Sequence, residues 1–285
     1  MVKNIKQSFR VCAAGVKRSL ANPRIYIALF LVFIFMQELI APIRTLAETS
    51  GYNAAPWMFP FFVQSYYCQM ILLLGIVLLY CDAPFFCENT FSILIRTGRK
   101  NWYWGQVLYI ISISILYFGA VLLMPMILLM PYIYLKNEWG TILGTLAQTN
   151  ASQTLGTMRM DYNLMLAFSP FEALGYSFVM SCMNGILVGL VIYTVNMFAK
   201  RVAGITAGAI LAFSPFLAIN FSDAYWGYYV FPPTWMNILR LDFREYSRYP
   251  SFIYGAVFFI TAYIILIFVS YKTFEKKAIQ TMPTI

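Results

Sequence analysis

Residues 106 to 130 read QVLYIISISILYFGAVLLMPMILLM, twenty-five positions without one charged side chain. About 20 apolar residues, rising 1.5 Å each, carry a helix across the ~30 Å hydrocarbon core of a bilayer. This stretch is therefore predicted to span a membrane. Five more runs of comparable character lie on either side of it, at about 25–43, 61–81, 173–198, 203–220 and 252–271. Hydrophobic residues fill 61% of the 285 positions and charged residues only 11%, against about 25% charge in soluble domains. The apolar runs consume nearly the whole chain, so residues 1–285 are expected to form one all-α integral membrane domain.

The segment just before the opening stretch, IRTGRKNWYWG (95–105), crowds three cations and two tryptophans between two spans. Cations on the cytoplasmic side set orientation. With both termini inside, that side collects 14 of the 20 cations, including six in residues 1–24, Arg96, Arg99 and Lys100, Lys200 and Arg201, and Lys272, Lys276 and Lys277. The other side keeps Arg44, Lys136, Arg159, Arg240, Arg244 and Arg248. An even number of spans with cytoplasmic termini is expected. Trp57, Trp139, Trp226 and Trp235 then fall near the outer border and Trp102 and Trp104 near the inner one, as indole rings in an interfacial belt do.

Several chemistries are excluded at once. The chain has no histidine, which removes the commonest general base and metal ligand, and it has no G-x-x-x-x-G-K-[ST] phosphate loop with which to hydrolyse ATP. The first 24 residues lack a cleavage pattern, so no removable presequence is read there. Five cysteines (Cys12, Cys68, Cys81, Cys87, Cys182) fall in no outward loop and are read as small buried apolar residues.

Two segments look built for more than connection. In the leader, Ile5, Phe9, Cys12, Val16 and Leu20 recur at helical spacing opposite Lys3, Lys6, Arg10 and Lys17, which suits either a helix lying on an anionic leaflet or a basic leader that sets topology. Between spans two and three, YCDAPFFCENTFSILIRTGRKNWYWGQVLYI (80–110) carries Pro84 to start a helix, Phe85, Phe86, Phe91, Ile93, Leu94 and Ile95 to give it an apolar face, and RTGRKNW to turn it back. A mere reversal needs only a few polar residues; the choice is between a snorkelling basic turn and a docking surface.

With this leader, six spans and the loop pattern R-x-G-x-x-x-W-x-x-G-x, here Arg96, Gly98, Trp102 and Gly105, the whole chain resembles a bacterial ABC-2-type ABC transporter permease. The resemblance implies a multi-pass subunit of the bacterial cytoplasmic membrane, without ATPase activity or a cofactor of its own. It would pair with a second permease, identical or related, and with two cytoplasmic ABC ATPase subunits that bind ATP and Mg. Residues 1–24 would form an interfacial elbow helix and residues 82–101 a cytoplasmic coupling helix seated on the ATPase. Asp82, Glu88, Arg96, Arg99 and Lys100 would then meet the ATPase, with Trp102 fixing the depth of the loop.

The outward segment FSDAYWGYYVFPPTWMNILRLDFREYSRYPS (221–251) is either an interfacial aromatic loop or a pair of extracellular re-entrant helices, broken at Pro232 and Pro233; TWMNILRL would be the second helix and Tyr225, Trp226 and Trp235 part of a gate. The hexapeptide LAFSPF occurs at 166–171 and 211–216; its proline is expected to start span four in the first copy and to kink span five in the second. Gly185/Gly189 and Gly204/Gly208 are small faces expected to pack helices within the chain. Glu38, toward the outer third of span one, is the one clear carboxylate inside a span, and it serves either structural pairing or a translocation path or subunit contact. Asp82 and Glu172 read also as border residues.

The apolar, aromatic spans suit export of a hydrophobic or amphipathic cargo such as a peptide, lipid-like molecule or drug. The competing class, a secondary transporter or channel, would place polar groups in several spans, and spans two, three and six are almost purely apolar.

Overall fold

The computed structural model describes residues 2–85, 90–199, 201–220, 225–243 and 248–280. Thirteen α-helices occur in them: α1 (Val2–Leu20), α2 (Pro23–Ser50), α3 (Phe59–Phe62), α4 (Tyr66–Tyr80), α5 (Thr90–Thr97), α6 (Arg99–Leu129), α7 (Gly140–Gln148), α8 (Ala151–Thr154), α9 (Tyr162–Ala167), α10 (Pro170–Phe198), α11 (Arg201–Asn220), α12 (Trp226–Val230) and α13 (Phe252–Gln280). No strand forms among the described residues. Five helices, α2, α6, α10, α11 and α13, are long and apolar enough to cross a membrane.

The second expected span differs. Its apolar run is broken into α3 and α4, and α4 has only 15 residues, roughly 22 Å at 1.5 Å each. At the break the buried Gln69 Nε2 donates to the Val63 carbonyl at 2.7 Å, satisfying a backbone group that continuous helix would have used. Three other helices outrun their expected limits: α2 continues to Ser50, α6 starts at Arg99, and α13 continues to Gln280. With 31 residues, α6 is about 46 Å long, well beyond a ~30 Å core.

The centre of the bundle is α10, which packs on α4, α6, α11 and α13. It begins where expected: Pro170 occupies the first turn, where its missing N–H costs nothing, and Glu172 accepts from the Ser169 N–H and hydroxyl at 3.0 and 2.8 Å. In the second hexapeptide, α11 runs on through Pro215. The Leu211 carbonyl, which Pro215 leaves without its N–H partner, accepts from the Ser214 hydroxyl at 2.7 Å.

Because lipid is as apolar as leucine, close packing and interhelical hydrogen bonds must hold such a bundle. Tyrosine hydroxyls supply the bonds: Tyr80 donates to the Ile110 carbonyl (2.6 Å), Tyr117 to Leu72 (3.1 Å), Tyr263 to Met183 (2.6 Å) and Tyr103 to Ile267 (2.8 Å). The four glycines supply the packing within the chain. A Cβ on Gly185 would lie 2.8 Å from the Phe118 ring, on Gly189 2.6 Å from Ile110 and on Gly208 2.7 Å from Ile192, and one on Gly204 would collide with Asn196.

These contacts put residues 2–24, 80–85, 90–110, 190–199, 201–204 and 267–280 at one end of the bundle, the basic end, which holds the first and last described helices. The opposite, aromatic end is closed by the two long connections. There Ala54 and Tyr132 join backbones at 2.8 Å, and Trp57 and Trp139 donate to the Lys136 and Phe168 carbonyls at 2.8 and 3.2 Å.

Candidate functional site

At the basic end α1 lies along the first half of α6 instead of standing apart from the bundle. Two glycines set this contact. A Cβ on Gly105 would come 2.6 Å from Val11, and one on Gly15 would come 2.9 Å from the Tyr109 ring. Val11 and Cys12 are buried there, Asn101 Nδ2 donates to Gln7 Oε1 at 2.7 Å, and the Ser19 and Tyr109 hydroxyls are hydrogen-bonded. The expected apolar stripe of the leader is thus divided. Cys12 and Val16 face the bundle, while Ile5, Phe9 and Leu20 are exposed and left for a lipid surface.

Helix α5 packs against α6 and α1 through Ile93 and Leu94, and Thr97 Oγ1 donates to the Ile93 carbonyl at 2.7 Å. Its other side projects Ile95, 85% exposed, and Arg96. Gly98 alone joins α5 to α6, with φ +80°, a left-handed conformation that glycine adopts without a Cβ penalty. Its N–H donates to Leu94 (2.9 Å), closing α5, and its carbonyl accepts from Trp102 N–H (3.1 Å), opening α6. Arg99 and Lys100 therefore stand exposed in the first turn of α6 and not in a loop. Cations there oppose the helix dipole, at about 0.3–1 kcal/mol each.

Trp102 packs inside the chain. It is 2% exposed, and its ring stacks on Phe274 with centroids 5.5 Å apart, tying α13 to α6. Asp82 is engaged within the chain by Arg24, the second residue of α2. With side chains 43% and 33% exposed, this pair is worth at most about 1 kcal/mol, but it fixes where α2 begins relative to the end of α4. Glu88 lies outside the described residues, as do Cys87, Lys200 and Arg244. Of the six residues assigned to the coupling surface, Arg96, Arg99 and Lys100 are brought together as an exposed basic group beside Ile95; Asp82 and Trp102 hold the scaffold under it.

The expected extracellular gate also divides. Tyr225 and Trp226 are exposed, 42% and 53%, whereas Pro232, Pro233 and Trp235 are buried. Instead of a second α-helix, residues 232–236 and 238–240 form two 3-10 turns packed against α10, α11 and α4. Trp235, wholly buried, donates from Nε1 to the Tyr228 carbonyl at 2.7 Å and is boxed by the rings of Tyr254, Phe258 and Phe259. Arg240 caps this cluster over the rings of Tyr228 and Tyr249 at 4.8 and 5.1 Å. Burial pushes the Tyr228 hydroxyl above the usual phenol range, and Arg240 opposes that shift.

Glu38 sits on the exposed side of α2, among Phe30, Leu31 and Ile34, while Val32, Met36 and Ile40 face the bundle. No partner to its carboxylate occurs among the described residues. Sequence reasoning missed Asn196, Gln106 and Tyr103. Asn196 is 92% buried by its 8% exposure; its Nδ2 donates to Ala83 O at 2.9 Å and its Oδ1 accepts from Gly204 N–H at 3.0 Å. The signal for it was an amide near the end of an otherwise apolar span. Compared with models of protein families, with curated proteins and with solved structures, the chain matches none of them.

Proposed function

We propose that this chain is the membrane subunit of an ATP-driven ABC exporter of the ABC-2 type, with six spans counting the broken α3–α4, its basic end in the cytoplasm and a hydrophobic or amphipathic cargo. The observation that carries the reading is α5: a short amphipathic helix that projects Ile95 and Arg96 with Arg99 and Lys100 and is joined to the 31-residue α6 by one glycine. An apolar side chain so exposed, beside three cations of which Arg99 and Lys100 sit at unfavourable helix positions, fits a protein partner with an apolar cleft and acidic rim. ATP and Mg then belong to that partner. Glu38 on the outer side of α2 supports a second permease copy there, since a carboxylate facing lipid is costly, and the buried turns of 232–240 fit a re-entrant outer gate.

A second reading has its own observation. Ser177, Ser181 and Asn184 are fully buried on α10, and Ser177 Oγ and Asn184 Oδ1 have no hydrogen-bond partner, as groups lining a path through a lone transporter or channel would. The deciding experiment purifies tagged chain in mild detergent and identifies co-purifying proteins. Co-purification of a phosphate-loop ATPase, lost in the Arg96→Glu/Arg99→Glu variant together with transport-stimulated hydrolysis, is expected. A chain that purifies alone, or a variant that keeps both partner and stimulation, rejects the permease reading.

A further inference from the structure

We infer that the basic end carries a binding site for the phosphate headgroup of an anionic, hydroxyl-bearing phospholipid, seated between α1, α5 and α6. A cavity of about 300 Å³ opens there, at the lower end of the range for small-ligand sites. Among the described residues, Arg10 and Arg18 on its rim are two exposed cations with no ion pair, and the one lining carboxylate, Asp82, is already engaged by Arg24. Arginine is the side chain best shaped to hold phosphate oxygens by paired N–H donors.

The floor makes a second, independent demand. Gln106 lines the cavity, is 7% exposed, and its Oε1 has no donor. Leaving a buried amide oxygen unpaired is costly, and a ligand hydroxyl relieves that cost. Because a hydroxyl both donates and accepts, it satisfies either orientation of the amide. Anion at the rim and hydroxyl at the floor describe a glycerol-type phosphodiester headgroup.

Position and walls favour a lipid over a soluble phosphate ester. The cavity opens where α1 ends and α2 enters the bundle, with Ser19 and Asn22 on its edge, and Phe85 and Leu79 give it an apolar side for the glycerol ester region. Lipid there would wedge α1 against α5, independently of whether α5 docks an ATPase.

The test is native mass spectrometry of the full chain after extraction, with titration of phosphatidylglycerol and phosphatidylcholine and with glycerol 3-phosphate as competitor. Wild type should retain phosphatidylglycerol preferentially, unaffected by millimolar glycerol 3-phosphate. Arg10→Ala/Arg18→Ala should lose that retention at least about tenfold, while Lys6→Ala/Lys17→Ala, an equal charge loss outside the cavity, should not. Gln106→Leu should reduce the preference for phosphatidylglycerol over phosphatidic acid, which lacks the headgroup hydroxyls. Equal losses in the two double variants would mean only diffuse attraction to cations and overturn the site; displacement by glycerol 3-phosphate would overturn the lipid in favour of a soluble ligand. The rim arginines are exposed, so their variants test the site even if Gln106→Leu does not fold.

Discussion

Replacing Asn196 by alanine removes both hydrogen bonds that join the end of α4, the last turns of α10 and the start of α11. Gly204 is the fourth residue of α11, so its N–H is among those a helix cannot satisfy from within; Asn196 serves as its cap from the neighbouring helix. The substitution strands that N–H and the Ala83 carbonyl in a site where the side chain was 8% exposed. Each orphan costs about 1–3 kcal/mol, while interhelical bonds in membranes average nearer 0.6 kcal/mol, which places the total at about 1–4 kcal/mol. At roughly 2 °C per kcal/mol for a chain this long, the apparent Tm in detergent should fall by about 2–8 °C. Asn196→Asp keeps the acceptor for Gly204 but sets a buried carboxylate against the Ala83 carbonyl, and should fall further. A thermal scan of the three proteins in one detergent and at one scan rate decides the matter. Asn196→Ala melting within 1 °C of wild type would refute the assignment.

Gly105→Leu should lever α1 off α6, because even a Cβ there meets Val11 at 2.6 Å and the Ser8 carbonyl at 3.1 Å; proteolysis within residues 2–20 should accelerate several-fold, and an unchanged digestion pattern would contradict the contact. Cysteine placed at Tyr225 or Arg248 should be labelled by an impermeant reagent in intact cells, whereas labelling only after lysis would reverse the proposed orientation. Glu38→Cys should cross-link between copies under mild oxidation in membranes, while cysteine at Ile253 on α13, equally apolar and exposed, should not; the opposite pattern would move the subunit contact to α13.

The limits of α10 and α11 were readable because proline, Ser-Glu capping and charge mark them on the chain itself. Three features were not readable, each for a physical reason. The break between α3 and α4 falls at Gln64 and Ser65, a polar dip too short to interrupt an apolar run by hydropathy alone, and Gln69 repairs it with one side-chain bond. Trp102 and Trp235 resemble belt residues because an indole N–H usually seeks the interface; Trp235 instead finds the Tyr228 carbonyl inside the fold, and Trp102 finds a ring to stack on. The Arg24–Asp82 pair joins positions far apart in sequence, and no local pattern announces such a partner. What the sequence did mark, Arg96, Gly98, Trp102 and Gly105, turns out to hold one exposed cation and three residues that build its support.

That division bears on how force would pass through the chain. If α5 is moved by a partner, the displacement enters α6 through Gly98, the one residue of backbone between them, and through the packing of Ile93 and Leu94; the hydrogen bonds from Gly98 N–H to Leu94 and from Trp102 N–H to Gly98 keep the joint short. From there α6 cannot bend away near the basic end: α1 lies against Gly105, and Phe274 of α13 lies against Trp102. A motion at α5 is thereby delivered to three helices together. Their next contacts are the tyrosine bonds at Tyr103, Tyr80 and Tyr117, which step from α6 to α13 and α4 along about 20 Å of helix. A coupling element needs this arrangement: a soft, exposed contact at the partner and stiff, buried contacts behind it. On the proposed permease reading, weakening the stiff part by Gly105→Leu should therefore uncouple ATP hydrolysis from transport while partner binding survives, whereas charge reversal at Arg96 and Arg99 should lose both. Finding the two variants indistinguishable would mean that α5 is a docking site and nothing more.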